Sequence, residues 1–130
     1  MGIWDTLKKK YTAMTDVGFS SLSDAAILEK TENKPGVYIL FLDGKIKKVG
    51  SAEDGIQKRM LQYFNLNESG GLNEYINMSN RDRIKVKWQY CERKQCKELE
   101  SKLFDKYGKE NMEWAERRPH STEHTVSLKI

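Results

Sequence analysis

The sequence predicts an α+β domain, with a small three-stranded mixed or antiparallel sheet flanked by helices and preceded by a helical extension. Three observations support this class. Residues 36–42 form a β-branched and aromatic run, and Asp43-Gly44 joins it to a second short run, which is the pattern of a β-hairpin. Residues 83–91 alternate strictly, which predicts a third strand with one wet face. Apolar residues elsewhere recur at helical spacing.

The predicted elements begin with helices. Trp4, Leu7 and Tyr11 recur at helical spacing, and Ser23-Asp24 predicts the cap of a second short helix. Further along, the sequence predicts hairpin strands over 36–42 and 45–49, a helix over 56–64, a strand over 83–91 and a helix over 96–107. Gly108 is the stop signal of the last helix.

Length and composition fit one globular domain. The chain has 130 residues, of which 38% are hydrophobic and 32% charged. We expect a helical extension over 1–33, the main domain over 34–112 and a tail over 113–130, in which residues 126–130 add an edge strand. The net charge of +4 fits a polyanionic partner, and it also fits simple solubility.

We expect no membrane span and no export signal in this sequence. No stretch approaches the roughly 20 apolar residues that cross a bilayer, and a lysine run stands where an export signal needs apolar residues. We therefore expect a cytoplasmic protein that does not bind membranes, with Cys91 and Cys96 as reduced thiols.

Glu100 is the residue whose position points most directly to chemistry. At about 100° per residue, it falls near 40° on a wheel that starts at Cys96, inside the apolar stripe of its helix. Glu98 and Lys102 fall on the opposite side, where charges are solvated. A carboxylate on a core-facing stripe is costly unless it binds a metal or pairs with a cation. Both interpretations of Glu100 remain open on this evidence.

A set of motifs in fixed order accompanies this carboxylate. Gly36-Val37-Tyr38 lies in the first hairpin strand and Lys48-Val49-Gly50 in the second. Arg59 follows on the next helix, with Tyr63 one turn later, and Glu100 begins an E-x-x-L-aromatic stretch. Together these motifs resemble those of the GIY-YIG nuclease family, over residues 34 to 111. That family also has a three-stranded sheet with its motifs in a hairpin.

The resemblance implies a metal-dependent endonuclease that hydrolyses phosphodiester bonds, in DNA rather than RNA. It implies that Glu100 binds one Mg²⁺ or Mn²⁺ and that Arg59 neutralises the phosphate. It implies that Tyr38 orients or deprotonates the attacking water, and that Tyr63 supports the site. The chain departs from the family at Lys48, which replaces the second motif tyrosine. The Pro and Asn that usually follow the Glu helix are also absent or displaced.

Lys48 has a catalytic role only if it faces the same concavity as Tyr38. Directly opposed residues of a hairpin share a face. A strict two-residue Asp-Gly turn sets Val49 opposite Tyr38, so this role requires an odd-length turn around Asp43. In that position Lys48 is a cation that would lower the pKa of Tyr38.

Other functions remain open. A nucleic-acid-binding module on the same fold would not cut, because Lys48 breaks the catalytic set. A structural or interaction protein would match the motifs by accident. Cys91, Cys96, His120 and His124 are four candidate zinc ligands. Their two pairs lie much further apart than in a compact zinc finger, and Cys96 also fits the apolar stripe.

Overall fold

A computed structural model of the chain describes residues 16–66, 75–108, 114 and 126–130. In these residues one antiparallel sheet of four strands is combined with three helices. The strands are β1 (Val17–Ser21), β2 (Gly36–Leu42), β3 (Lys45–Ala52) and β4 (Ile84–Tyr90), and the helices are α1 (Leu22–Ala25), α2 (Ile56–Phe64) and α3 (Cys96–Tyr107). The α+β class is confirmed, but the sheet has four strands rather than three.

The strand order is β1-β4-β2-β3, so β3 and β1 are the edges of the sheet. Asp43 and Gly44 join β2 to β3 with φ values of 53° and 82°. Positive φ at both central residues is the geometry that a tight hairpin requires, and it explains the Asp-Gly pair. The hairpin therefore forms where the sequence predicts it, and β3 continues to Ala52.

The fourth strand lies in the region that we expected to be helical. β1 pairs antiparallel with β4, with Gly18 opposite Trp88, so the helix prediction is wrong for residues 17–21. The following helix is α1, and its cap is Ser21, whose hydroxyl accepts a hydrogen bond from the Asp24 N–H at 3.2 Å. Trp4, Leu7 and Tyr11, on which the first helix was predicted, lie outside the described residues.

The sheet buries both of its faces. Successive strand residues point to opposite faces, and β2 contributes to two cores. Tyr38 and Leu40 pack with α1 and α2 on one face, whereas Val37 and Ile39 pack with α3 on the other. This explains why β2 is an almost continuous apolar run. It also places α2 and α3 on opposite sides of the sheet.

Residues 126–130 cover part of the α3 face, but they do not form the edge strand that we expected. The Gln89 side chain on β4 binds them instead, donating to the Ser127 carbonyl at 2.9 Å and accepting from the Lys129 N–H at 2.6 Å. A side-chain amide thus takes the place of a strand ladder. The segment remains on the sheet without extending it.

Residues 126–130 also bury Glu98, which we expected to face solvent. The helical wheel places Glu98 on the solvent side, but its exposure is only 3%. Its carboxylate accepts a hydrogen bond from the Val126 N–H at 3.0 Å and pairs with Lys102 at 3.2 Å. The wheel is wrong here because residues 126–130, a distant segment of the chain, pack along the side of α3 that carries Glu98. In the described part of the chain, no helix is long and apolar enough to cross a membrane.

Candidate active site

The site is built at the edge strand β3, around Gly50. Tyr38, at 1% exposure, stands directly opposite Gly50 in the β2–β3 ladder. A Cβ atom at position 50 would lie 2.6 Å from the Tyr38 hydroxyl oxygen, closer than such contacts occur. The glycine therefore leaves room for the phenol to lie across the edge strand.

Tyr63 meets Tyr38 from α2. The two hydroxyls are hydrogen-bonded to each other, and the rings pack edge to face with centroids 5.9 Å apart. Burial raises the pKa of Tyr38 well above its usual range, and the neighbouring Tyr63 raises it further. Burial likewise raises the pKa of Tyr63. Both phenols are therefore neutral at physiological pH.

Arg59 lies one turn before Tyr63 on α2 and is half-buried. Its guanidinium lies beside the Tyr63 side chain and acts on its pKa. Its charge acts to lower the pKa of both tyrosines, but burial outweighs it. The two buried tyrosines thus lie beside the Arg59 guanidinium, whose planar set of donors suits a phosphate group.

Glu100 approaches from α3, on the other side of the sheet, and is half-buried. Burial raises the pKa of its carboxyl above the ordinary value, and this effect outweighs several opposing ones. The hydroxyl and backbone N–H of Ser51 on β3 lie near the carboxylate and act to lower the pKa of Glu100. Lys48 and Arg59 lie close enough to act on Glu100 electrostatically, and both favour its charged form.

A bulge in β3 determines which way Lys48 faces. The turn has two residues, and Phe41 pairs with Ile46, but the register then shifts so that Leu40 pairs with Lys48. Lys47 is the extra residue, and a bulge of this kind moves all later side chains to the other face. Lys48 consequently shares a face with Tyr38, as its predicted role requires. The cause is a bulge, not the odd-length turn that we expected.

All five sequence-predicted site residues come together at this edge: Tyr38, Lys48, Arg59, Tyr63 and Glu100. The cation that lowers the pKa of Tyr38 is Arg59, whereas Lys48 acts on Glu100. Sequence reasoning missed Ser51 as the partner of Glu100. The available signal was strand alternation, which puts Ser51 on the same side of β3 as the buried Val49 and hence toward α3.

The donor set fits a hard divalent cation that retains water. A carboxylate has about four lone-pair directions, so Glu100 can accept from a neighbour such as Ser51 and still bind an ion. Mg²⁺ binds through one or two carboxylates and keeps several waters. Glu100 thus suits one such ion, although no cluster of three His, Cys, Asp or Glu residues occurs among the residues described here.

The structure describes two of the four candidate zinc ligands. The Cys91 and Cys96 sulfurs lie 3.5 Å apart where β4 leads into α3. His120 and His124 lie outside the described residues. The cysteines therefore adjoin each other as a pair, and zinc binding by the four candidate ligands remains an alternative hypothesis.

Comparison with known proteins adds no assignment. No family model, curated protein or solved structure matches the chain. The resemblance to GIY-YIG nucleases therefore rests on the sequence motifs and stays a prediction.

Proposed function

We propose that the chain is a metal-dependent endonuclease that hydrolyses phosphodiester bonds in nucleic acid, DNA rather than RNA, in the manner of GIY-YIG enzymes. The observation that supports it is the convergence of a half-buried guanidinium, a half-buried carboxylate and two buried phenols beside one glycine. Hydrolysis of a phosphodiester needs the phosphate neutralised, a water positioned and the leaving oxygen stabilised. This set of groups matches those needs.

Arg59 and Glu100 would do the electrostatic work. The Arg59 guanidinium would bind the non-bridging phosphate oxygens with two donors in one plane. Glu100 would hold one Mg²⁺ or Mn²⁺ through its carboxylate oxygens. When bound, such an ion neutralises charge on the phosphate and assists the leaving oxygen.

Tyr38 would orient the attacking water rather than deprotonate it. A general base works best when its pKa lies near the working pH, and burial holds the pKa of Tyr38 well above its usual range. A neutral phenol can still accept a hydrogen bond from water. Tyr63 would fix the direction of the Tyr38 hydroxyl, because the two share a hydrogen bond.

A second function is a nucleic-acid-binding module without cleavage, and one observation favours it. Lys48 acts on Glu100 as a nearby cation, so the carboxylate has a charged neighbour without any metal. A cation at that position also repels a divalent ion. In this alternative, Arg59 and Lys48 contact phosphate, and Glu100 holds Lys48 in place.

A cleavage assay separates the two functions. Purified protein is incubated with labelled DNA and RNA of several secondary structures, in Mg²⁺, Mn²⁺ or EDTA. We expect cleavage with metal, lowered about 100-fold or more by Glu100→Ala or Arg59→Ala, which is the effect of losing one main electrostatic group. Lys30→Ala is the control for the loss of a positive charge, because Lys30 is exposed after α1.

Cleavage that continues unchanged in EDTA would rule out the metal mechanism. Salt-dependent binding of nucleic acid, with no cleavage in either metal, would establish the binding module instead.

A further inference from the structure

A second surface of the sheet combines aromatic and cationic side chains. We call it the open sheet patch and define it by Phe19, Phe41, Arg83 and Lys85. These residues line a shallow groove of about 580 Å³ beside the hairpin turn. This volume lies within the range of roughly 300–1,000 Å³ found for small-ligand sites. Phe19 is 57% exposed, an unusual state for a phenylalanine in a strand.

Strand pairing fixes the relative positions of these side chains. In the sheet register, Phe19 stands opposite Lys87 and Phe41 opposite Lys85, so the two rings lie diagonally on either side of β4 with one lysine of β4 opposite each. The Phe19 and Phe41 rings pack edge to face at 6.0 Å, and the Lys85 ammonium lies 5.9 Å from the Phe19 ring centre. Phe41 also packs against the core. Phe41 thus holds the exposed Phe19 ring in place.

The charges of the patch favour an anionic partner. Arg83 and Lys85 both line the groove, and Asp43 is the one acid among its described lining residues, where it pairs with Arg83. The Asp43 and Arg83 side chains are both more than half exposed, so this pair contributes little and can exchange with a ligand. An exposed ring beside cations suits a ligand that carries flat apolar groups and negative charges together.

Single-stranded nucleic acid has this combination. Its bases stack on aromatic side chains, and its phosphates bind lysine and arginine. In a duplex the base faces are already stacked on each other, so a ring on a sheet surface cannot reach them. An acidic peptide would use the cations but would leave the exposed ring without a stacking partner.

We propose that the open sheet patch binds single-stranded nucleic acid, with a base stacked on Phe19 and phosphates bound by Lys85 and Arg83. The choice of ligand class rests on the proposed function, but binding at the patch does not require cleavage. Phe19 and Phe41 point to the α3 side of the sheet, whereas Tyr38 points to the α2 side. The patch is thus separate from the candidate active site, and it would bind an unpaired strand at a distance from the bond that is cut.

Binding is measured by fluorescence anisotropy with a labelled oligonucleotide of about 12 nucleotides, within the usual site range, in EDTA so that metal-dependent cleavage cannot interfere. We expect Phe19→Ala to weaken single-strand binding by roughly 5- to 150-fold, the effect of losing one base stack. Phe19→Trp should retain binding, because it keeps the stacking surface. Lys85→Gln should make the dependence of log affinity on log salt shallower by about 0.7, as expected for one lost contact to a single strand.

Matched controls follow α1, on the other side of the sheet. Leu28→Ala removes an apolar side chain of 63% exposure, and Lys30→Gln removes an exposed lysine. Neither should change single-strand affinity. A blunt duplex is the control ligand, and its affinity should be the same for Phe19→Ala and wild type.

Single-strand binding by Phe19→Ala that equals wild type would overturn the proposal. So would a loss that is as large for the duplex, because stacking would then not be its source. The nuclease function fails by a different readout, the absence of metal-dependent cleavage by wild type. Loss of single-strand binding in Phe19→Ala would support the patch whichever way that cleavage experiment turns out.

Discussion

Two glutamates of α3, separated by a single residue, provide a test of whether Glu100 is functional or structural. Glu98 is almost fully buried and has assigned partners in Lys102 and the Val126 N–H. Glu100 is half-buried, and burial raises the pKa of its carboxyl. The perturbation is the replacement of each by glutamine, which keeps the shape and removes the charge. We expect opposite results for stability and for cleavage.

The expected magnitudes follow from these contacts. Glu98→Gln loses a charged partner for Lys102 and should lower the free energy of unfolding by about 1.5 to 3 kcal/mol, the contribution of one hydrogen bond to a charged group. Glu100→Gln removes a charge that burial disfavours and keeps nearly the same side-chain shape. Its stability should be unchanged or raised by about 1 kcal/mol.

The pH dependence gives a second, independent readout. The pKa of Glu100 in the folded protein lies above its ordinary value of 4.5. Between those two values the folded state binds more protons than the unfolded state, so wild-type stability falls as pH rises through that window. The penalty is complete above the folded pKa. Glu100→Gln lacks this component, and its advantage over wild type should therefore grow from acid to neutral pH.

The measurement is the urea midpoint of each variant in EDTA, at acid and neutral pH, with matched m-values. Glu98→Gln should lower the midpoint by roughly 1 M, given m-values of about 1–3 kcal/mol/M, and should keep metal-dependent cleavage. Glu100→Gln should hold or raise the midpoint and lose cleavage. A loss of about 3 to 5 kcal/mol for Glu100→Gln would refute the reasoning, because that is the cost of breaking a buried ion pair.

Three further changes test the geometry around Gly50. Gly50→Ala should destabilise the protein by about 1–3 kcal/mol, because its Cβ overlaps the rigid, buried Tyr38; thermal unfolding measures this, and a neutral result would contradict the packing. Ser51→Ala should move the acidic limb of the cleavage pH profile to higher pH, since Ser51 lowers the pKa of Glu100; an unmoved limb would contradict its positioning role. Tyr63→Phe should lower kcat more than it raises KM, because the Tyr38 hydroxyl loses the hydrogen bond that fixes its direction. An unchanged kcat would contradict a catalytic role for the Tyr38–Tyr63 pair.

Local patterns were enough to predict most of the elements. The bounds of β2, α2 and α3 match the sequence prediction because each is marked within its own segment, by an Asp-Gly turn, a helical apolar face or a terminal glycine. β1 was missed because Val17–Ser21 contains a glycine and two serines and is a weak strand by propensity. It becomes a strand by pairing with β4, more than 60 residues further along the chain.

The candidate site shows the same division between local and distant information. The residue types at Tyr38, Arg59 and Glu100 are readable because their order along the chain resembles a known pattern. Their surroundings depend on contacts between distant segments, and those contacts decide the chemistry. Burial between β2 and α2 keeps Tyr38 neutral, which favours a water-orienting role over that of a base.

The bulge at Lys47 has the largest such effect. Without it, the two-residue turn would place Val49 opposite Tyr38 and turn Gly50, Ser51 and Lys48 to the wrong faces. One extra residue therefore brings the glycine under the Tyr38 hydroxyl, the serine to Glu100 and the lysine to the Tyr38 face. Because β3 is an edge strand, it can accommodate this irregularity without disturbing a second neighbour. The position of the site at the sheet edge and the bulge that builds it thus have a common physical cause.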